Sequence, residues 1–186
     1  MEKKINIVAL FGKAGAGKDT IQRLLIQHFK NTQSIISNTT RPKRDYEKDG
    51  IDYHFLSVED FAKKVLNGEM LEATNFNNWF YGTSIDSLSK DKINIGVFNP
   101  AGINCLWSDN RLNIIPIYID ASNKTRLLRQ LNREKEPDCS EICRRFFTDE
   151  KDFQEENFDF KYKIYNNEEE KIDIKKIIDI IAEGLK

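Results

Sequence analysis

Residues 5–18 read Ile5-Asn6-Ile7-Val8-Ala9-Leu10-Phe11-Gly12-Lys13-Ala14-Gly15-Ala16-Gly17-Lys18. An apolar run with strand character passes directly into G-x-x-x-x-G-K, and a helix-forming stretch follows. In that setting the glycines let successive backbone N–H groups turn onto a polyanion, and the following helix presents its positive end to the same group. Lys18 adds a mobile charge directed at terminal phosphates. A Gly-rich turn without a ligand would leave the lysine and both flanks unexplained. The loop from Gly12 to Lys18 is therefore expected to hold a nucleoside triphosphate.

After Lys18 comes Asp19, where a Ser or Thr hydroxyl usually meets Mg²⁺, and Thr20 follows one place later. Asp19 admits two roles. It takes the metal directly or through water, or it favours the positive end of its own helix. Asp19 and Thr20 are the candidate metal residues.

With 186 residues, 39% of them hydrophobic, the chain is long enough for one good core with small insertions. A net charge of −1 gives no global field toward nucleic acid or an anionic membrane, so any basic site must be local. No apolar run approaches the ~20 residues of a membrane span, and no signal-peptide core is evident near Met1. Cys105, Cys139 and Cys143 form no C-x-x-C, and His28 and His54 lie far off, so no zinc site is expected. A reduced, cytoplasmic setting fits this cysteine usage.

Short apolar runs alternate with amphipathic stretches, the pattern of an α/β fold around a parallel sheet. Strands are expected over Ile5–Phe11, Ser34–Ser37, Ile93–Phe98, Ile114–Ile119 and Lys163–Tyr165. Helices are expected over Asp19–Lys30, Val58–Asn67, Ala101–Ser108, Asn123–Lys135, Ser140–Glu156 and Glu168–Leu185. Ser57 with Asp60 starts the second helix like a capping box, and Gly68 closes it. Ile174, Ile177, Ile178 and Ile181 form a core stripe on the last. Two excursions interrupt the alternation. Residues 39–83 form an inserted unit with short strands near Asp52–Phe55 and Leu71–Phe76. Residues 126–147, rich in arginine, suit a helical lid on a core made of 1–38 and 84–186. A phosphotransferase needs such a pair, one excursion to hold the acceptor and one to close over the donor.

The first excursion carries Ser37-Asn38-Thr39-Thr40-Arg41-Pro42-Lys43-Arg44, then Glu47, Gly50, Asp52-Tyr53-His54-Phe55, Glu72 and Tyr81-Gly82-Thr83. Arg41 and Arg44 suit one small dianion, because the planar guanidinium gives two parallel hydrogen bonds to a phosphate. Tyr53 and Tyr81 add hydroxyl donors. Glu72 can accept from two adjacent N–H groups on a purine edge, which guanine offers and adenine does not.

The ordered pattern S-x-T-T-R-x-x-R…E…G-x-D-Y-x-F…E…Y-G-T behind a phosphate loop resembles the guanylate kinase family, from the first strand to about Asn166. The resemblance implies a P-loop kinase fold with a core, an acceptor-binding unit and a mobile lid, and ATP-dependent phosphorylation of GMP with Mg²⁺. It implies that Arg41, Arg44, Tyr53 and Tyr81 hold the acceptor phosphate, and that Ser37, Glu72 and Thr83 hold the guanine. Arg129 and Arg133 resemble paired lid arginines, Arg145 (with Arg144 beside it) a third, and Asn166 a residue near the donor adenine. The family's D-x-D-x-x-G segment falls on Val97 and Asn99, so both aspartates are absent; Asn99 remains able to hydrogen-bond a base, and Asp19 is a candidate to replace the lost charge at the metal.

The expected partners are small nucleotides, ATP with GMP or dGMP, without nucleic acid or membrane, and with the chain as monomer or homodimer. One alternative is a kinase for another (deoxy)nucleoside monophosphate, which Asn99 keeps open. Another is a guanylate-kinase-like module binding phosphopeptides, which would need neither the donor loop nor the lid arginines. Asn123-Lys124-Thr125-Arg126 begins like the guanine-reading N-K-x-D of regulatory GTPases but ends in Arg, without the carboxylate that reads the base.

Overall fold

The computed structural model describes residues 3–76, 78–153, 161–167 and 172–185. From the amino terminus it runs β1 (Ile5–Phe11), α1 (Lys18–His28) and β2 (Thr32–Ser34). The inserted unit follows with β3 (Asn38–Thr39), β4 (His54–Phe55), α2 (Val58–Leu66), β5 (Met70–Phe76) and β6 (Trp79–Ser84). The chain then returns through β7 (Ile93–Val97), α3 (Pro100–Trp107) and β8 (Leu112–Asp120). It ends with α4 (Asn123–Leu131), α5 (Cys139–Asp152), β9 (Lys163–Tyr165) and α6 (Ile174–Gly184).

Five strands form one parallel sheet in the order β2-β7-β1-β8-β9. Its centre is β1, and the side chains of β1 explain why. Val8 and Leu10 pack with Ile21 and Leu25 of α1 and Ile177 and Ile181 of α6. Ile7, Ala9 and Phe11 pack on the other face with Ile103 and Leu106 of α3 and with Phe153. A strand alternates its side chains between faces, so an unbroken apolar run is needed wherever helices cover both. On α6 the stripe is carried by Ile177, Ile180 and Ile181, which are buried.

The inserted unit builds a second sheet, β4-β3-β6-β5, with β6 antiparallel to both β3 and β5. The pattern did not announce β6. It is reached from β5 by a tight turn in which Asn78 takes φ +65°, a conformation asparagine tolerates. Ser57 does cap α2, accepting from the Asp60 N–H, and Gly68 follows the helix at φ +70°.

Several boundaries differ from expectation. The second strand spans Thr32–Ser34 rather than Ser34–Ser37, because the chain crosses between the two sheets before β3. α4 stops at Leu131, short of Lys135. Pro137 disfavours helix at the preceding residue, and Asp138 opens α5 by accepting from the Glu141 N–H. Asp173 caps α6 in the same way, so that helix begins at Ile174; the expected start near Glu168 and the expected end of α5 at Glu156 lie outside the described residues. No described helix is long and apolar enough to cross a membrane.

One buried polar side chain ties the sheet to its surroundings. Asn94 of β7 is fully buried; its Oδ1 accepts from Gln33 Nε2 and the Ser89 N–H, and its Nδ2 donates to the carbonyls of Asn6 and Ser89. Asn94→Ala orphans those groups inside the protein and is expected to cost about 2–3 kcal/mol in urea unfolding, with the far-UV spectrum unchanged.

Candidate active site

The phosphate loop leaves β1 at Gly12, whose φ is +146° and whose Cα sits so close to the Ile119 carbonyl that a Cβ would collide with it. Gly17, at φ +93°, turns the chain into α1. Lys18 folds back over the loop, its Nζ donating to the carbonyls of Gly12 at 2.8 Å and Lys13 at 3.1 Å. Burial draws the Lys18 ammonium below its ordinary pKa, against the opposing pull of Asp19 and Asp149.

Gly12, Ala14, Gly15, Gly17 and Lys18 open onto a cleft of about 750 Å³, with Asp19 and Thr20 at its edge. The other two loop residues face elsewhere. Lys13 turns its ammonium to Glu150 at 2.7 Å, and Ala16 packs in the core. Arg129 and Asn166 lie behind the loop. Arg129 Nη1 reaches the carbonyls of Gly15 and Ala16 at 3.4 Å, and Asn166 Nδ2 donates to the Ala16 carbonyl at 2.7 Å.

Across the cleft stands Arg41, buried and held by both oxygens of Glu47 at 2.6 and 3.0 Å. Its guanidinium lies 5.4 Å from the Tyr53 ring centre and 5.7 Å from that of Phe55. Glu47 also accepts from the Arg44 N–H. Burial alone would raise this carboxyl, but the hydrogen bonds from Arg41 and Arg44 bring it below the ordinary range. Sequence reasoning gave Glu47 no role; the available signal was a lone acid six residues after Arg41 in a turn-rich segment. Arg44 is more open, with Nη1 donating to the Tyr46 hydroxyl and Nε 3.5 Å from Glu134. Tyr53 and Tyr81 meet edge to face, and burial, reinforced by Asp19, raises the Tyr53 pKa so that it stays a proton donor.

Deeper in, Glu72 of β5 faces Thr83 of β6 in register, and both are buried. Burial lifts the Glu72 pKa to about 7, while the adjacent Thr83 draws it back. The Thr83 hydroxyl is buried and has no hydrogen-bond partner among the described residues. Ser37 and Asn99 line the same end. Asn99 already has two tasks, its Oδ1 capping α3 at the Gly102 N–H and its Nδ2 donating to Thr74 Oγ1, each at 2.7 Å.

Arg133 and Arg145 complete the cleft with Asp149. Burial lowers the Arg145 pKa, and its Nε, 3.9 Å from Glu141, makes no hydrogen bond among the described residues. Arg144 beside it makes a two-point pair with Glu141 at 2.7 and 2.8 Å, so Arg145 is the member of the pair that reaches the cleft. Arg126, counted in the sequence among the lid charges, is fully buried behind the phosphate loop. Asn123 accepts from Arg126 Nη1, which gives the N-K-x-R stretch a task at the start of α4.

The guanylate kinase family model matches residues 4–183. The chain belongs to the guanylate kinase family. The guanylate kinase of Helicobacter pylori is 32% identical over 190 residues, spanning 100% of this chain and 90% of that protein. That of Mycoplasma genitalium is 31% identical over 171 residues, spanning 89% of this chain and 70% of that one. The solved guanylate kinase of Anaplasma phagocytophilum superposes with a TM-score of 0.72 over 100% of this chain and 89% of its own, at 24% identity, a likeness of fold.

Glu72 gives the first test. Its pKa in the folded chain lies above the ordinary 4.5, so its contribution to stability is complete below pH 4.5 and is lost as the pH rises through about 7. Glu72→Gln removes that titration. The variant is expected to gain melting temperature relative to the parent between pH 5 and pH 8, read by scanning calorimetry across that range.

Proposed function

We propose that this cleft transfers the γ-phosphoryl group of ATP to GMP, or to dGMP, giving ADP and GDP or dGDP. The observation that carries the reading is one cavity in which the phosphate loop with Lys18, the Arg41–Arg44 pair, Glu72, and Arg133 with Arg145 all meet.

ATP lies with its β- and γ-phosphates against the loop N–H groups and Lys18, and its adenine leaves on the side flanked by Arg129 and Asn166. GMP lies opposite, its phosphate on Arg41, Arg44 and the hydroxyls of Tyr53 and Tyr81. Ionised Glu72 accepts from N1–H and the 2-amino group of guanine, and Ser37 and Thr83 complete the base site. A phosphate oxygen of GMP attacks the γ-phosphorus; the new O–P bond forms as the bond to the β–γ bridging oxygen breaks and ADP departs. Such transfers are governed by positioning and charge neutralisation, so no general base is assigned. Arg133 and Arg145 neutralise charge on the moving group. Holding both substrates in one cavity also excludes water, the competing acceptor.

The residues present fit Mg²⁺ in the usual manner of nucleotide enzymes. Among the described residues no three acids, histidines or cysteines converge on a metal site. Asp19 and Thr20 are exposed at the mouth of the loop, and Mg²⁺ is commonly bound through one carboxylate, substrate phosphates and water. When bound, it offsets the negative charge of the β- and γ-phosphates. Asp19→Asn is expected to raise the Mg²⁺ concentration for half-maximal activity several-fold. An unchanged Mg²⁺ titration would remove Asp19 from the metal site.

ADP formation from Mg-ATP with GMP, dGMP, AMP, dTMP, dCMP or UMP offered separately tests the reading. Turnover is expected with GMP and dGMP alone. Because the accepting form of Glu72 is the ionised one, KM for GMP is expected to rise as the pH falls below 7, approaching about tenfold per unit, while KM for ATP stays flat. Measurable GMP binding without turnover on any acceptor would return the protein to the phosphopeptide-module class.

A further inference from the structure

Behind the phosphate loop lies a buried ion cluster that the transfer chemistry does not use. Arg126, fully buried on α4, spreads its guanidinium over four acceptors: Nε donates to the Ala14 carbonyl at 3.1 Å, Nη1 to Asn123 Oδ1 at 3.1 Å and Glu150 Oε1 at 2.9 Å, and Nη2 to Asp149 Oδ2 at 3.3 Å. The same Asp149 oxygen accepts from the Ala14 N–H at 2.6 Å. The Phe146 ring closes over the guanidinium at 4.8 Å.

We propose that Arg126 and Asp149 are positioning residues that hold the phosphate loop in its nucleotide-binding form by gripping Ala14 through both its N–H and its carbonyl. The inference rests on the kinase reading for its meaning, though the contact itself does not.

A buried ion pair is a poor device for stability alone. Desolvating both charges offsets most of their attraction, and apolar residues of similar volume usually hold two helices together as well. What apolar residues cannot do is satisfy backbone polar groups. The carbonyls of a phosphate loop must be held away from the ligand, since an oxygen turned inward would repel phosphate. Here the carbonyl of Ala14 is taken by Arg126 and that of Gly15 by Arg129, while Arg129 and Asn166 share that of Ala16. The peptide unit is planar and trans, so drawing the Ala14 carbonyl backward turns the Gly15 N–H the other way, toward the cleft that Gly15 lines. Gly15 has no alternative, because at φ +79° a Cβ there would stand 2.5 Å from the Arg126 carbonyl.

The cluster has a second consequence. Asp149 follows Arg145 by four residues on α5, so the two share one face of the helix. Fixing Asp149 to the loop therefore fixes the height at which Arg145 enters the cleft. Loop geometry and the third cation are set by one contact.

The test compares variants of the full chain by binding of a fluorescent ATP analogue, by KM for ATP and for GMP, and by melting temperature. Asp149→Ala and Arg126→Met are expected to weaken ATP binding by about tenfold or more, roughly 1.4 kcal/mol, with KM for GMP within about twofold. Asp149→Asn keeps an oxygen for the Ala14 N–H and is expected to stay within about threefold of the parent in ATP binding, whatever its melting temperature. The proposal is overturned if Asp149→Asn loses ATP affinity as fully as Asp149→Ala. It is equally overturned if the apolar pair Arg126→Leu with Asp149→Ala folds and binds ATP like the parent. Should the parent bind ATP but phosphorylate no acceptor, the kinase reading fails while the binding comparison still decides the clamp.

Discussion

A polyphosphate is so well solvated by water that a protein can compete for it only with donors that are already in place and dry on their far side. In this chain that constraint is met by the packing of β1. Both faces of the strand are covered, and its pairing with β8 sets Phe11 beside Tyr118. The next residue, Gly12, can then pass against the Ile119 carbonyl, an approach that only glycine permits. The loop begins where the core ends, and its direction is inherited from the sheet. Distant core residues thus bear on the site without touching a ligand.

The cations in and around the cleft fall into two groups, and carboxylates separate them. Arg126, Lys13, Arg41 and Arg144 each have a close acidic partner that fixes the side chain in place. Lys18 and Arg133 have no ion pair among the described residues, and Arg145 has only a distant one. Burial disfavours the Lys18 ammonium, Asp19 and Asp149 draw its pKa back up, and Arg145 and Arg133 oppose them by less. On the proposed reading, an arriving phosphate supplies these three cations with a close anion.

What the sequence made legible was local or periodic. The strand, loop and helix around Gly12–Lys18 are contiguous, and the apolar alternation identifies strands buried on both faces. The arginines, Glu72 and the tyrosines could be grouped because their residue types share one chemistry. The rest depends on contacts between distant segments. In the sequence Arg126 is indistinguishable from the other arginines of its segment; its burial depends on Asp149 of α5, 23 residues on. Glu47 showed only as a lone acid six residues after Arg41, which does not reveal its two-point grip, and β6 lacked the Asn-Gly that marks most tight hairpins. Asn99 was weighed as a base contact, whereas its backbone position makes it first the cap of α3.

That cap bears on how, on the proposed reading, one acid suffices to read a base. Glu72 Oε2 and Asn99 Oδ1 each lie 3.3 Å from the point where a Cβ on Gly102 would stand, so the two side chains are close neighbours. An aspartate at this position would cap the Gly102 N–H equally well, but it could not donate to Thr74 as Asn99 Nδ2 does. It would also place a second negative charge beside a carboxyl that burial already holds near neutrality. Like charges in such a pocket raise the pKa further, and a protonated Glu72 would lose one of its acceptor positions. With a neutral residue at 99, Glu72 needs to overcome only its burial to ionise. On the proposed reading, the neutral Asn99 beside Glu72 leaves a single carboxylate with an unshared charge to read the base.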